Sequence, residues 1–316
     1  MNNTAKLAKY FKEVLTNEPL SKHTTLAIGG PASIFIKVKL DTELISAINK
    51  AKELKVRFLV IGDGSDLLIT DKGYDGLVIS NEIIGIKATR GKFIVKAGTP
   101  LQKLVDLVSE KGYAGLEKMT GIPGSVGGAI YGNAGAYGQT VSDNISRVKA
   151  FDGKELKWLT LDECRFNYRE SIFKRNKWTI LEGVFDFKVK SEAKILKKIK
   201  DETLSLRLAK YKPGLKCPGS YFKNILASDL TPEQLAKIPR EKIVYGKVPA
   251  GYLLEAVGAK GKKRGKILIA DYHANLFINT GGGNASDFYK LAQKYADKVE
   301  EKFSIRLEPE VQLIGF

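Results

Sequence analysis

Cysteine is nearly missing. The two thiols in 316 residues, Cys164 and Cys217, are too few for a disulfide framework or a metal site built on thiolates. Long apolar runs are missing as well. No stretch approaches the ~20 residues that span a bilayer, and the first residues, MNNTAKLAKYFKEVL, lack the apolar core and small-residue cleavage site of a secretory signal. A cytosolic protein with reduced thiols is expected. Internal repeats and low-complexity segments are lacking too. Acidic residues are in deficit, 35 against 52 Lys+Arg, for a formal charge of +17. The lysines are spread along the chain, densest at Lys194–Lys200 and Lys260–Lys266, and no nucleic-acid module motif accompanies them. A lysine-rich proteome, or a set of ligands that are all phosphorylated, would give this charge without a nucleic-acid partner. With 43% hydrophobic and 28% charged residues, the chain has the composition of a soluble globular protein of two or three domains.

Glycine is abundant in one place. Residues 120–138 read TGIPGSVGGAIYGNAGAYG, with seven glycines between Gly121 and Gly138. Each glycine inside a helix or strand costs up to ~1 kcal/mol, so the segment reads as a loop. A flexible linker would be Gly/Ser-rich and polar, whereas Ile122, Val126, Ile130, Tyr131 and Tyr137 imply packing. A backbone without Cβ atoms comes close to a ligand and turns its N–H groups onto an anion. No GK[ST] follows and no clean βαβ unit surrounds it, which excludes a Walker loop and a Rossmann fingerprint.

Taken in order, residues 4–16 suit an amphipathic helix with Leu7, Tyr10, Phe11, Val14 and Leu15 on one side. Ile34, Ile36 and Val38 alternate as a strand. Residues 41–54 predict a helix with Asp41 as N-cap and Leu44, Ile45, Ile48 and Ala51 inward. Phe58–Ile61 is a strand ending in the glycine turn GDGSD (62–66), and Leu67–Ile69 and Leu77–Ile79 are further strands. Hairpins are expected at 83–97 around Arg90-Gly91 and at 145–160 around Asp152-Gly153. Residues 100–112 predict a helix opened by Pro100, and 178–189 a long strand. A lysine-rich helix covers 192–210, a loop 211–224, short glycine-broken strands 249–282, a strong amphipathic helix 285–303 and a closing strand Glu310–Ile314. Two phosphate-friendly glycine loops in neighbouring subdomains imply one extended ligand, such as a dinucleotide.

The glycine loop, the pentad GDGSD, the segment CRFNYRESIFK (164–174), the loop GSYFKN (219–224) and the tail LEPEV (307–311) occur in the order found in the UDP-N-acetylenolpyruvoylglucosamine reductase (UDP-N-acetylmuramate dehydrogenase) family. The chain resembles that family, in its shorter-branch form, from about Thr24 to Phe316. The resemblance implies an α+β protein: a two-subdomain FAD-binding fold of the vanillyl-alcohol-oxidase and p-cresol-methylhydroxylase type, plus a C-terminal α+β substrate-binding domain. The expected division is 1–75 and 76–190 for the two FAD-binding subdomains, 191–303 for the substrate domain, and 304–316 for a strand returning Glu310 to the active site. It implies non-covalent FAD, NADPH as co-substrate, a UDP-sugar substrate and a monomer. The implied reaction reduces the enolpyruvyl group of UDP-N-acetylglucosamine enolpyruvate to UDP-N-acetylmuramate, a step of peptidoglycan precursor synthesis. The alternative on the same fold is an FAD-dependent oxidase of a sugar or alcohol.

Carried over residue by residue, the FAD diphosphate would be held by Gly62, Gly64 and Ser65 and by Ile122, Pro123, Gly124, Ser125 and Gly127. Ala134 and Gly135 would lie near the flavin ring. Tyr137, Asn224 and His273 would bind substrate. The catalytic set would be Arg169, carrying the enolate; Ser220, giving a proton to carbon; and Glu310, sharing in protonating or stabilising the enol. A serine hydroxyl is a weak acid, so Ser220 needs a neighbour to support its alkoxide, with Lys223 or a water as candidates. No metal is implied, His23 reads as structural, and both cysteines read as packing residues. Two departures stand out. Asp66 follows Ser65 where the family has Asn, placing a carboxylate near a diphosphate, and Pro218 precedes Gly219 where the family has a small residue.

Overall fold

The computed structural model describes residues 3–316. The chain divides into two compact units. The first takes the chain up to Glu18, Ala32–Asp63 and Asp75–Ala209; the second takes Pro19–Pro31, Gly64–Tyr74 and Lys210–Phe316. The GDGSD turn is thus cut between Asp63 and Gly64.

The first unit holds two sheets. One orders the strands Leu15–Pro19, Pro31–Val38, Tyr74–Asn81 and Phe58–Ile61. Its last pair is parallel, with Phe58 opposite Leu77 and Ile61 opposite Ser80. The crossover helix Asp41–Glu53 buries Leu44, Ala47, Ile48 and Ala51 against Ile34, Ile36, Leu77 and Ile79. The stripe recurs at helical spacing, so one face closes a core while the lysines stay wet. Asp41 is not the N-cap. It is the first helical residue, and its carboxylate takes Lys96 Nζ at 2.6 Å, with Glu182 on the same cation at 2.9 Å.

The other sheet is antiparallel, with five strands in the order Leu156–Thr160, Ile145–Phe151, Thr179–Asp186, Lys92–Lys96, Ile86–Thr89. Its two hairpins turn where expected. At Arg90-Gly91 both φ angles are positive, 38° and 87°, which suits the right-handed twist of the strands. At Asp152-Gly153 the Asp152 carboxylate accepts the N–H groups of Lys154 (2.7 Å) and Glu155 (2.8 Å). Helix Leu101–Glu110 lays Leu101, Leu104, Val105 and Val108 on this sheet's core.

Three expectations for this unit are corrected. The first helix ends at Ala8, because of its predicted stripe only Leu7 is fully buried and residues 15–19 join a sheet instead. Pro100 stands at the N-cap, outside the helix it was expected to open. The glycine loop contains a short helix, Val126–Tyr131, capped by Ser125, whose Oγ accepts from Gly128 N–H at 3.2 Å. Val126, Ala129 and Ile130 are buried at helical spacing, and that packing outweighs the glycine propensity.

In the second unit the helix Ala285–Phe303 buries Phe288, Leu291, Ala292, Tyr295, Val299 and Phe303 against Tyr221, Phe277 and Leu253. Its first turn is held from a distant segment: Asp71 accepts the N–H groups of Ala285 (2.7 Å) and Ser286 (3.0 Å). A carboxylate there satisfies orphan donors and faces the positive end of the helix dipole. The closing strand is Gln312–Ile314, shorter than expected, and pairs in parallel with Leu67–Ile69. Within the glycine-broken stretch 249–282 lies a helix, Ala250–Ala256, in place of an expected strand. No helix among the described residues is long and apolar enough to cross a membrane.

Candidate functional site

The candidate residues fall into two sets, one in each unit. In the first unit the two glycine segments meet. Strand Phe58–Ile61 delivers Gly62 directly beside Ser125: a Cβ on Gly62 would collide with Ser125 Oγ and lie 3.2 Å from Ser125 Cβ. The glycine segment is pinned from behind, since Leu101 N–H donates to Gly124 O (2.9 Å), Val126 N–H to Thr99 O (2.8 Å) and Gly127 N–H to Ala97 O (2.7 Å). The Gly127 amide therefore serves the fold, and its missing side chain is what allows the approach to Ala97. Gly64 and Ser65 belong to the second unit. There Gly64 has φ +70°, and a Cβ on it would overlap the His23 carbonyl. The missing side chain at Gly62 lets the two bends abut, and abutting main-chain bends of this kind can turn N–H groups onto one anion such as a dinucleotide diphosphate.

The segment 167–171 is stitched to the far end of the glycine loop. Asn167 and Glu170 exchange N–H···O bonds of 3.1 Å each, so Tyr168 and Arg169 sit at a tight corner, with Arg169 at φ +55°. Non-glycine residues rarely take that conformation, and it marks a strained, over-determined position. Ser171 Oγ donates to Tyr131 O (2.7 Å) and Asn133 Nδ2 to Asn167 O (3.0 Å). The Arg169 guanidinium reaches the carbonyls of Gly135 (2.9 Å) and Asn133 (3.4 Å) and lies 5.3 Å from the Tyr168 ring centre. Lys174 Nζ holds the Arg169 carbonyl at 3.1 Å. Arg169, Ala134 and Gly135 are thus brought together. Glu170 accepts the Ser171 N–H at 3.0 Å and lies 3.9 Å from Arg175 Nε. Tyr137, at φ +50°, is 40% exposed.

In the second unit, the chain through Ser220 runs between two others. Tyr221 N–H donates to Asn275 O (3.1 Å), and on the other side Glu310 N–H donates to Tyr221 O (2.7 Å). Lys223 N–H donates to Glu308 O (2.9 Å). Ser220 and Glu310 therefore lie on adjacent, mutually bonded segments. Asn275 is 2% exposed and uses its side-chain amide as a piece of strand, giving and receiving bonds of 2.8 Å with the Phe222 main chain. Ser220 Oγ shares a 3.0 Å hydrogen bond with the Tyr211 hydroxyl. Lys223, one expected helper, instead pairs with Glu308 at 3.1 Å.

Asn224 Oδ1 accepts the Ala250 N–H at 3.1 Å and so starts the helix Ala250–Ala256. His273 Nδ1 accepts the Asn275 N–H at 3.1 Å. Burial, seconded by the Lys210 charge, pulls the imidazole down to about 4, so His273 is a neutral ring at pH 7. Tyr211 and Asn275 were missed in the sequence. Asn275 gives no signal there, because its partner is main chain at Phe222; Tyr211 gives only a weak one, nine residues before Ser220 in a loop rich in lysine.

Two family profiles match the chain: an FAD binding domain over residues 32–156, and the C-terminal domain of UDP-N-acetylenolpyruvoylglucosamine reductase over residues 211–314. The UDP-N-acetylenolpyruvoylglucosamine reductase of Solibacter usitatus is 40% identical over 305 residues, 96% of this chain and 97% of that protein. The same-named protein of Carboxydothermus hydrogenoformans is 38% identical over 96% of this chain and 94% of its own length. The crystal structure of UDP-N-acetylenolpyruvylglucosamine reductase from Thermus caldophilus superposes with a TM-score of 0.72 at 28% identity, covering 96% of this chain and 98% of that one.

Proposed function

Because the chain belongs to the UDP-N-acetylenolpyruvoylglucosamine reductase family, an FAD-dependent oxidoreductase family, we propose that it reduces the enolpyruvyl group of UDP-N-acetylglucosamine enolpyruvate with NADPH, giving UDP-N-acetylmuramate. Bound FAD supplies the hydride relay between NADPH and the enolpyruvyl double bond. Gly62, Gly64, Ser65, Ile122, Pro123, Gly124 and Ser125 would hold its diphosphate, and Ala134 and Gly135 would flank its ring, whereas the Gly127 amide, bonded to Ala97 O, would serve only to place the loop.

The chain's own work is charge and proton placement. Reduction of the double bond leaves negative charge on the carbon next to the substrate carboxylate. Arg169 bears that charge with a planar fork suited to a carboxylate, held in aim by Gly135 O and Asn133 O. Ser220 gives the proton to carbon, and Glu310 shares in stabilising or protonating the enol. Tyr137, Asn224 and neutral His273 bind the sugar nucleotide. Hydrogen bonding to a phosphate oxygen needs a donor, and the bond at Nδ1 leaves the His273 proton on Nε2. The protein acts as a monomer in the cytosol.

The observation that carries this reading is the close lacing of the Ser220 and Glu310 segments, Glu310 N–H to Tyr221 O at 2.7 Å. It is tested by stopped-flow kinetics on Ser220→Ala. Flavin reduction by NADPH should stay near the wild-type rate, while flavin reoxidation by the enolpyruvyl substrate should slow by about 10²-fold or more, the usual contribution of a general acid. Equal slowing of both half-reactions would contradict the donor role, and colourless protein unable to take up FAD would end the reading altogether.

A further inference from the structure

Resting on the reading of Ser220 as proton donor, we propose that Tyr211 is the positioning residue that supports Ser220 and restores its proton. When the Ser220 O–H bond breaks and its hydrogen joins the substrate carbon, an alkoxide is left in a half-buried place. Such a charge needs a donor already aimed at it. The Tyr211 hydroxyl stands 3.0 Å from Ser220 Oγ. A phenol is a far stronger acid than an aliphatic alcohol, so once Ser220 has lost its proton this bond has one sense: Tyr211 Oη donates. The phenolic proton passes to Oγ, and the tyrosinate regains one from water. One proton leaves water for each proton given to carbon, and no other reactant is needed.

The surroundings hold Tyr211 to this task. Its ring packs with Leu215 and Cys217 against Ala270, Leu276 and Ile278, and Leu276 is the residue bridged to Ser220 itself. Ring and hydroxyl are therefore fixed to the same strand position. Lys210 Nζ lies over the ring, 5.0 Å from its centre, and helps hold it in place. Lys223, on the same loop as Ser220, is paired with Glu308.

The test is a double-mutant cycle of Tyr211→Phe and Ser220→Ala in the FAD-loaded enzyme, reading the two half-reactions separately. Tyr211→Phe should leave flavin reduction and substrate affinity within about twofold and slow substrate-dependent reoxidation by about 10- to 100-fold, with a larger solvent deuterium isotope effect. In the Ser220→Ala background the same change should add less than about twofold, since coupled residues fail to add. A readout free of turnover goes with it: the hydroxyl-bearing ring carbon of isotope-labelled Tyr211 should shift in Ser220→Ala holoenzyme without substrate. A slow Ser220→Ala with an unimpaired Tyr211→Phe overturns the Tyr211 role and spares Ser220. Additive effects, or an unmoved resonance, also overturn it. An unimpaired Ser220→Ala removes the donor reading, and this proposal falls with it.

Discussion

Gly62→Ala is the sharpest probe of the glycine cradle, because it adds one methyl group and nothing else. Gly62 is not in the left-handed region, so alanine suits its backbone and the effect is purely steric. The new methyl would collide with Ser125 Oγ and sit 3.2 Å from Ser125 Cβ. Two responses are open. If the segments part, the cradle widens, and overpacking of this kind costs about 1–3 kcal/mol. If Ser125 turns away, its Oγ gives up the Gly128 N–H it accepts at 3.2 Å, and losing an N-cap costs about 1 kcal/mol. On the proposed reading either loosens or shifts the segment that would grip the diphosphate, so FAD affinity should fall by about 10- to 100-fold, at 1.4 kcal/mol per factor of ten. The assay is a fluorescence titration of flavin-free protein with FAD, alongside urea unfolding. The double variant Gly62→Ala/Ser125→Gly makes room for the methyl and should bind FAD more tightly than Gly62→Ala alone. Wild-type affinity and stability in Gly62→Ala, or strictly additive losses in the double variant, would refute the reasoning.

The depressed His273 pKa makes stability fall on the acid side. The unfolded state takes up its proton near 6.5 and the folded state only near 4, so stability drops as pH falls through that window. The loss is on the order of 2 kcal/mol after allowance for solvent screening. Urea midpoints at pH 7 and pH 5 should differ less in His273→Gln than in wild type; an equal difference excludes His273 as the source. Lys96 binds Asp41 and Glu182 in a half-buried triad, and although burial opposes its charge the two carboxylates outweigh this and hold its pKa above the usual ammonium value. Lys96→Met should lose about 1–3 kcal/mol, below the 3–5 kcal/mol of a fully buried pair, and unchanged unfolding would contradict it. Burial, then the Glu163 charge, pushes the Cys164 thiol up to about 12, so a thiol reagent at pH 8 should reach it only after denaturation. Rapid labelling of both cysteines in the native protein would show that the interior around Cys164 is open.

What the sequence made legible is what is locally encoded. The helix Ala285–Phe303 follows from its apolar stripe, and the turns at Arg90-Gly91 and Asp152-Gly153 follow from glycine beside a residue that tolerates or supports the bend. The illegible parts depend on distant partners. The helix Ala250–Ala256 begins on Asn224, and the first turn of Ala285–Phe303, besides its local cap Asn284, is held by Asp71, 214 residues away. Nothing near either helix announces these contacts. The tail was recognisable by its motif, yet its pairing with Leu67–Ile69 joins segments at opposite ends of the chain. Among the site residues, Arg169 and Ser220 were visible as members of a pattern. The carbonyls that aim Arg169 and the phenol that meets Ser220 were not, since they exist only once the chain is folded.

The two departures from the family pattern, Asp66 and Pro218, prove to be physically one feature. Asp66 N–H donates to Pro218 O at 3.2 Å, and Asp66 O accepts the Gln312 N–H at 2.9 Å. Asp66 is therefore a junction of three chain segments, and its φ of +59° is what allows both main-chain groups to be used at once. Aspartate and asparagine are the non-glycine residues that enter this region most readily, so replacing the family's asparagine leaves the backbone requirement satisfied. Proline contributes to the same junction through its carbonyl alone, which needs no N–H, while its ring fixes the chain two residues before Ser220. The carboxylate thus stands at a position whose backbone shape aspartate satisfies as asparagine does. That ties the glycine turn, the Ser220 loop and the Glu310 tail to one residue within the second unit, so a substitution that looks purely electrostatic in the sequence also carries a conformational requirement in the fold.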